Sequence, residues 1–381
     1  MNVGIDITSL IYQRGVSRYT ANLIRALDRY TNVNLRLFGY SLRKNSFLKE
    51  KTEECLIDPD IHQIKIQACP PKMQSVVWKL GLNKLSSHFD DLDLIHSWDW
   101  LQPPDKDIPL VSTIHDLAIL RFDEVAHARV LTAHHKSWKI LKKRQAEIIA
   151  VSRATRKDVI ELLQYPQWKV HVVHSALPAD VREISQEITE NKAKNIKEKL
   201  RLDQPYLFFV GTQEPRKNLK KLIQAWQPLA DQYQLIIAGD RGWDASEKMF
   251  HHPNLRFLGR VSDEELNILY AEADVFCYPS LYEGFGLPIL ESFLHGTPVV
   301  TSNLSSMVEV AGNAAELVNP ESVESIHQGI SNVLNENADT QRKRLQRMII
   351  RQQMFSWEQT ALKTVEVYQQ TIKHFQNQKN S

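Results

Sequence analysis

Leu207-Phe208-Phe209-Val210-Gly211-Thr212-Gln213-Glu214-Pro215-Arg216-Lys217-Asn218-Leu219 passes from an unbroken apolar run, through a glycine and a basic pair, into a helical pattern. A run that is apolar at every position is what a strand buried on both faces of a parallel sheet requires. Leu235-Ile236-Ile237-Ala238 reads the same way. Working outward, further strands are predicted at Asn2–Ile7, Asn34–Tyr40, Ile61–Gln67, Leu92–Trp98, Leu110–His115, Ile148–Ser152 and Val170–Ser175 in the first half. In the second half they fall at Tyr206–Thr212, Gln234–Asp240, Leu255–Gly259, Val275–Ser280, Val299–Asn303 and Glu316–Asn319. Helical patterns lie between them, at Val16–Tyr30, Leu219–Ala230 and Ser262–Ala273, the last opened by the capping-box spacing Ser262…Glu265. Alternation of this kind predicts doubly wound parallel α/β sheets with right-handed crossovers.

The 381 residues suit two domains, because a single core stops growing near ~250–300 residues. A break at Ala176-Leu177-Pro178-Ala179-Asp180, then a charged helix over Ile184–Leu200, marks the boundary, giving domains 1–180 and 181–355. Ordinary composition, 43% hydrophobic and 24% charged, argues against disorder. Cys55, Cys69 and Cys277 form no metal-ligand or disulfide pattern, which predicts a reducing, cytoplasmic setting. The N-terminus reads as no signal peptide, and no window is long and apolar enough to span a bilayer. The net charge of +2 divides unevenly: residues 1–180 hold 25 Lys+Arg against 20 Asp+Glu, leaving 22 against 25 for residues 181–381. That mild bias puts any anionic partner against the first half.

Chemistry concentrates at the carboxyl ends of predicted strands. Arg216 and Lys217 stand at a helix start after a buried strand, an arrangement suited to a phosphate; the alternative is a solvated loop. Glu283-Gly284-Phe285-Gly286-Leu287-Pro288-Ile289-Leu290-Glu291 places two carboxylates eight residues apart around glycines that permit close backbone approach. One carboxylate would address a sugar and the other ribose hydroxyls, against the alternatives of a helix cap and a solvated helix residue. Gly15 precedes a helix, where a simple turn is the competing reading, and Arg18 beside it is a phosphate contact or, by preference, helix surface. His115 ends a strand next to Asp116, which either fixes one imidazole tautomer or caps a helix. Asp91-Leu92-Asp93 reads as a solvated turn and no metal motif stands out.

Glu-Gly-Phe-Gly-Leu-Pro-x-x-Glu at 283–291, with Gly-Thr-x-x-Pro-Arg-Lys-Asn-Leu at 211–219, resembles the retaining glycosyltransferases of the large group 1 / family 4 type, and most of all bacterial mannosyltransferases of O-antigen and surface-polysaccharide assembly. The resemblance runs from Gly4-Ile5-Asp6 to Phe355-Ser356-Trp357. It implies the GT-B fold, two Rossmann-like domains facing a central cleft, with a C-terminal helix (356–381) crossing back to the first. By that resemblance Arg216 and Lys217 neutralise the leaving diphosphate, Glu283 and the amides of Gly284, Phe285 and Gly286 hold the transferred sugar, and Glu291 binds ribose. Leu287 and Gly15 then join the donor site, and His115 contacts sugar or acceptor. Ala238-Gly239-Asp240-Arg241-Gly242-Trp243 carries the glycines that close the family's nucleotide pocket. After Val170–His174 the family often shows Asn-Gly, where this chain has Ser175-Ala176.

The implied reaction is transfer of mannose from GDP-mannose to an undecaprenyl-diphosphate-linked saccharide of lipopolysaccharide, without metal or other cofactor. Two basic segments, Pro71–Lys84 with Trp78 and Lys136–Arg144 with Trp138, suit peripheral contact with the cytoplasmic face of an inner membrane; solvated helix faces over core tryptophans are the alternative. No nucleic-acid motif is present. Competing readings are a UDP-sugar-dependent transferase, a sugar-nucleotide epimerase, and a nucleotide-sugar-binding protein without catalysis.

Overall fold

The structure, a computed structural model, describes residues 1–12, 15–122, 128–242 and 250–380. It divides into two compact units: Met1–Ser175 with Ser356–Ser381, and Ala176–Phe355. In the first, strands β1 (Asn2–Asp6), β2 (Asn34–Tyr40), β3 (Gln63–Gln67), β4 (Leu94–Trp98), β5 (Leu110–Ile114), β6 (Glu147–Ala150) and β7 (Val170–Val172) form one sheet in the order β3-β2-β1-β4-β5-β6-β7. In the second, β8 (Tyr206–Val210), β9 (Gln234–Ala238), β10 (Leu255–Gly259), β11 (Val275–Tyr278), β12 (Val299–Ser302) and β13 (Glu316–Val318) run in the order β10-β9-β8-β11-β12-β13. Every pairing is parallel. The strand order therefore reverses between β1 and β4 in one unit and between β8 and β11 in the other. Such reversals open a crevice beyond the carboxyl ends of the strands, where ligands of open α/β sheets bind.

The unit boundary falls at Ser175/Ala176 rather than at 180/181. Val173 makes the last ladder bond of the first sheet, to the Ala150 carbonyl at 3.0 Å. The next helix, Ala179–Glu187, packs on Asp263–Ala271 of the second unit. The expected single helix over 184–200 is two, Ala179–Glu187 and Glu190–Leu200, because Thr189 turns to cap the second through the Lys192 amide. The terminal helix, Trp357–Asn380, packs on the helix Gly15–Tyr30 and on β5 and β6. Asp91 and Asp93 are more than a solvated turn. Asp91 accepts from Arg36 Nε at 3.0 Å and Asp93 from the Asn2 amide at 2.8 Å, tying β1 and β2 to the loop before β4.

Both tryptophans of the basic segments belong to the core. Trp78 and Trp138 are 5% and 4% exposed, and they join one apolar cluster with Phe38, Ile95, Ile114 and Ile148. Arg144 is structural as well, donating to the carbonyls of Pro103 and Ile108 at 2.9 and 2.8 Å and to that of Asp105.

Candidate active site

In the second unit the site is assembled by two loops that follow neighbouring strands. The loop after β8 bends through Gly211, with φ near +153°, and ends at Asn218, whose left-handed φ of 62° starts the helix Leu219–Trp226. Asn218 tolerates that backbone and uses its side-chain amide to hold the carbonyls of Pro279 (3.0 Å) and Pro320 (2.7 Å). The loop after β11 is stitched to it by the Leu281 amide donating to the Arg216 carbonyl at 2.7 Å. Glycines let the backbones meet. A Cβ on Gly239 would sit 2.2 Å from the Gly211 carbonyl oxygen, and one on Gly242 would sit 2.1 Å from that of Gln213. Trp243 lies outside the described residues.

These loops bring Arg216, Lys217 and Glu283 together. Lys217 Nζ donates to Glu283 Oε1 at 2.6 Å and to the Tyr278 hydroxyl at 2.7 Å. Arg216 Nη1 donates to Glu283 Oε2 at 3.0 Å and to the Tyr282 carbonyl at 3.1 Å, while its Nε reaches Glu214 at 2.7 Å. Glu283 is 8% exposed and Lys217 also 8%. Burial pushes the Glu283 carboxyl up, but the charges of Lys217 and Arg216 outweigh it and hold the group down at about 2. Glu283 is therefore ionised at neutral pH. Burial lowers the Lys217 ammonium, opposed by Glu283, and pushes the Tyr278 phenol well up.

The Glu283 backbone is clamped too. Its carbonyl accepts from the hydroxyls of Ser305 and Ser306, both at 2.9 Å, and Ser305 holds a left-handed φ of 54°. Beyond it, Phe285 is buried edge-on against Phe355 at 5.4 Å, and Gly286 (φ 110°) starts the helix Leu287–Leu294. Glu291 stands on the buried side of that helix, accepting from the Tyr270 hydroxyl at 2.8 Å. Tyr278, Glu214, Ser305 and Ser306 were not singled out in the sequence, and Asn218 stood there only as a position of the 211–219 motif, with no role. Only their positions at or just after strand ends could have marked them.

Gly15 and His115 lie in the first unit. Gly15 opens its helix with nothing near where a Cβ would stand, so packing does not demand a glycine there. His115 follows β5 and sits edge-on to Tyr19 (4.7 Å between ring centres) and stacked on Trp98 (6.0 Å). Its Nε2 is buried with no hydrogen-bond partner among the described residues, and burial pulls the ring down to about 4, opposed by Asp99. Asp116 accepts from the Ala118 amide at 2.9 Å, closing the turn that leads into the helix Ala118–Arg121.

Comparison with known proteins agrees in sequence and in fold. Residues 190–352 match the family of glycosyl transferases group 1, and residues 13–180 match Glycosyltransferase Family 4. O-antigen chain mannosyltransferase B of Escherichia coli is 35% identical over 272 residues, 68% of this chain and 69% of that protein. The MMP alpha-(1->4)-mannosyltransferase of Mycolicibacterium hassiacum is 28% identical over 76% of this chain and 73% of its own length. Among solved structures, a glycosyltransferase from Rickettsia africae superposes with a TM-score of 0.70 at 15% identity, covering 98% of each chain. Anabaena Alr3699/HepE, solved with UDP and glucose, gives 0.67 at 16%, covering 96% of this chain and 98% of its own. Two Rossmann-like sheets with these matches make the chain an enzyme that belongs to the group 1 / family 4 glycosyltransferases of GT-B fold.

Proposed function

We propose that this glycosyltransferase moves mannose from GDP-mannose, with retention of anomeric configuration, to an undecaprenyl-diphosphate-linked saccharide during O-antigen assembly at the cytoplasmic face of the inner membrane. The observation that carries the reading is the buried Arg216–Lys217–Glu283 cluster at the β8/β11 reversal. A departing nucleoside diphosphate develops negative charge, and two preorganised cations beside a helix N-terminus stabilise it without a metal. Glu283 accepts from both of these cations. With the diphosphate bound, Arg216 and Lys217 turn part of their hydrogen bonding to phosphate oxygens, and the Glu283 carboxylate becomes an acceptor for sugar hydroxyls. The amides of Gly284 to Gly286 line the same approach. Glu291 is assigned to ribose and His115 to the acceptor side. The mannosyl assignment is supported by the names of the E. coli and M. hassiacum relatives.

The test is a thermal-shift panel of GDP, UDP, ADP and their sugar conjugates, with and without magnesium. A ligand at a hundredfold excess over its dissociation constant stabilises the fold by about 2.7 kcal/mol. GDP species are expected to shift the transition without magnesium; a shift with UDP species alone would remove mannose from the reading. In transfer assays, Glu283→Ala is expected to cost at least about two orders of magnitude in turnover, the scale of a lost transition-state contact. Near-normal turnover in a variant that still shows the nucleotide shift would refute the role of Glu283.

A further inference from the structure

We propose that Tyr278 is a positioning residue of the transfer step: its phenol hydroxyl fixes the Lys217 ammonium where charge develops on the departing diphosphate. The inference rests on the reaction proposed above and names a further residue of the same site.

Tyr278 is the last residue of β11 and is 1% exposed. Its ring is stacked against Phe276 (5.6 Å between ring centres) and tilted against Phe209 (6.4 Å), so packing holds both of its side-chain torsions. The Lys217 chain reaches it past Gly211, where an added Cβ would already touch Lys217 Cε at 3.5 Å. The hydroxyl accepts from Lys217 Nζ at 2.7 Å, whereas the ring centre is 5.0 Å from that nitrogen. Glu283 Oε1 accepts from Nζ as well, at 2.6 Å. An ammonium carries three hydrogens, so one is left for a phosphate oxygen. The same hydroxyl joins the charges of Lys217 and Arg216 in offsetting burial at the Glu283 carboxyl.

Charge balance explains why a phenol suits this place. Arg216 is paired with Glu214 and Glu283, and Lys217 with Glu283, so two cations already face two carboxylates. A carboxylate at position 278 would tip the cluster negative and repel a diphosphate. Burial, with the Glu283 charge adding to it, pushes the Tyr278 phenol well up and keeps it neutral. It therefore accepts from the ammonium without cancelling the cation. With Nζ held by two fixed acceptors, little reorientation is needed as the diphosphate leaves, and such preorganisation is what lowers a barrier of this kind.

Tyr278→Phe keeps the ring contacts and removes the hydroxyl. Tyr206→Phe is the control: that tyrosine is 2% exposed at the start of β8, and its hydroxyl donates to the Leu269 carbonyl at 2.9 Å. Steady-state transfer is followed from GDP-mannose, or from UDP-glucose if the parent chain uses that donor instead, to a polyprenyl-diphosphate-linked saccharide. Tyr278→Phe is expected to lower kcat at least about tenfold while donor KM changes less than about threefold, because the lost positioning acts where charge is greatest. Lys217 faces the Glu283 and Glu214 carboxylates, the Arg216 guanidinium and the phenol, and burial lowers its ammonium, opposed by Glu283. Removing the hydroxyl takes a partner from the charged form. The alkaline limb of kcat/KM, which falls as Lys217 loses its proton, is therefore expected to move to lower pH by about one unit. Tyr206→Phe should leave rate and limb unchanged, and both variants should keep the nucleotide-induced thermal shift.

Parental kcat with an unmoved limb in Tyr278→Phe would overturn the proposal, as would a loss confined to KM. An equal rate loss in Tyr206→Phe would overturn it too, by tracing the effect to the stability of the sheet. A parent chain that turns over neither donor would instead refute the proposed reaction and this role with it, an outcome read on the parent before any variant is compared.

Discussion

Asp6 and Glu283 are buried carboxyls with opposite titrations. Glu283 has two cations at hand and is held at about 2, so its contribution to stability is present above its unfolded value near 4.5 and is lost as pH falls toward 2. Asp6, at the end of β1, has no cation among these partners: it accepts from Thr8, whose amide lies at 2.8 Å, and makes a long contact with the Tyr40 hydroxyl (3.4 Å). Burial raises it from 3.8 to about 6, with those hydrogen bonds opposing. A raised carboxyl works the other way: the native state is favoured while Asp6 is protonated and loses stability as pH rises from 3.8 to 6. Asp6→Asn keeps an acceptor for Thr8 and removes the buried charge. It should stabilise the chain at pH near 7.5 by up to about 3 kcal/mol and leave it nearly unchanged near pH 3.5. Denaturant titrations at the two pH values check this, and equal effects at both would count against the titration argument.

At the scale of elements, the terminal helix is joined to the first sheet by polar side chains as well as by packing. Tyr368 bonds His96 Nδ1 at 2.6 Å, while His96 Nε2 meets Thr113 at 2.8 Å. Burial, with His115 nearby, lowers His96 to about 3, so it stays neutral. Thr360 donates to the His174 carbonyl at 2.8 Å, fixing the segment where the family's Asn-Gly is replaced. His374 reaches Glu147 at 3.0 Å near the other end of the helix. Tyr368→Phe would leave His96 Nδ1 buried without its partner, at an expected cost of about 1–3 kcal/mol. Hydrogen exchange should then show faster opening of the helix 357–380 with the second unit unchanged; slowed or unaltered exchange would refute the link.

Over the whole molecule, the chain builds the same plan twice and threads it discontinuously, leaving the first unit at Ser175 and returning at Ser356. Each unit places its unusual carboxyl at the carboxyl end of a strand beside the order reversal, Asp6 at β1/β4 and Glu283 after β11. The thirteen strands expected from the sequence are all present among the described residues; β2 and β10 keep the expected ends, β6 starts one residue earlier, and most of the others are trimmed by one to a few residues. Their apolar runs were readable because both faces of each central strand are covered. The basic pair and the Glu-Gly-Phe-Gly-Leu-Pro-x-x-Glu loop were readable because spacing along the chain fixes which residues stand at a strand end.

Local pattern therefore determined the strand–helix alternation, the two parallel sheets and the standing of Arg216, Lys217 and Glu283 at strand ends, since each depends on neighbours in sequence, while their joining in one site was implied by the family resemblance. Tertiary structure alone decided what those groups meet. Tyr278 under Lys217, Ser305 and Ser306 on the Glu283 backbone, and Tyr270 on Glu291 come from positions 21 to 61 residues away, brought close only by sheet order. It also decided that Trp78 faces the core while Met73, Val76 and Leu80 face outward. Helical periodicity defines two faces but not which one the sheet covers, and only packing against β2 and its neighbours settles that.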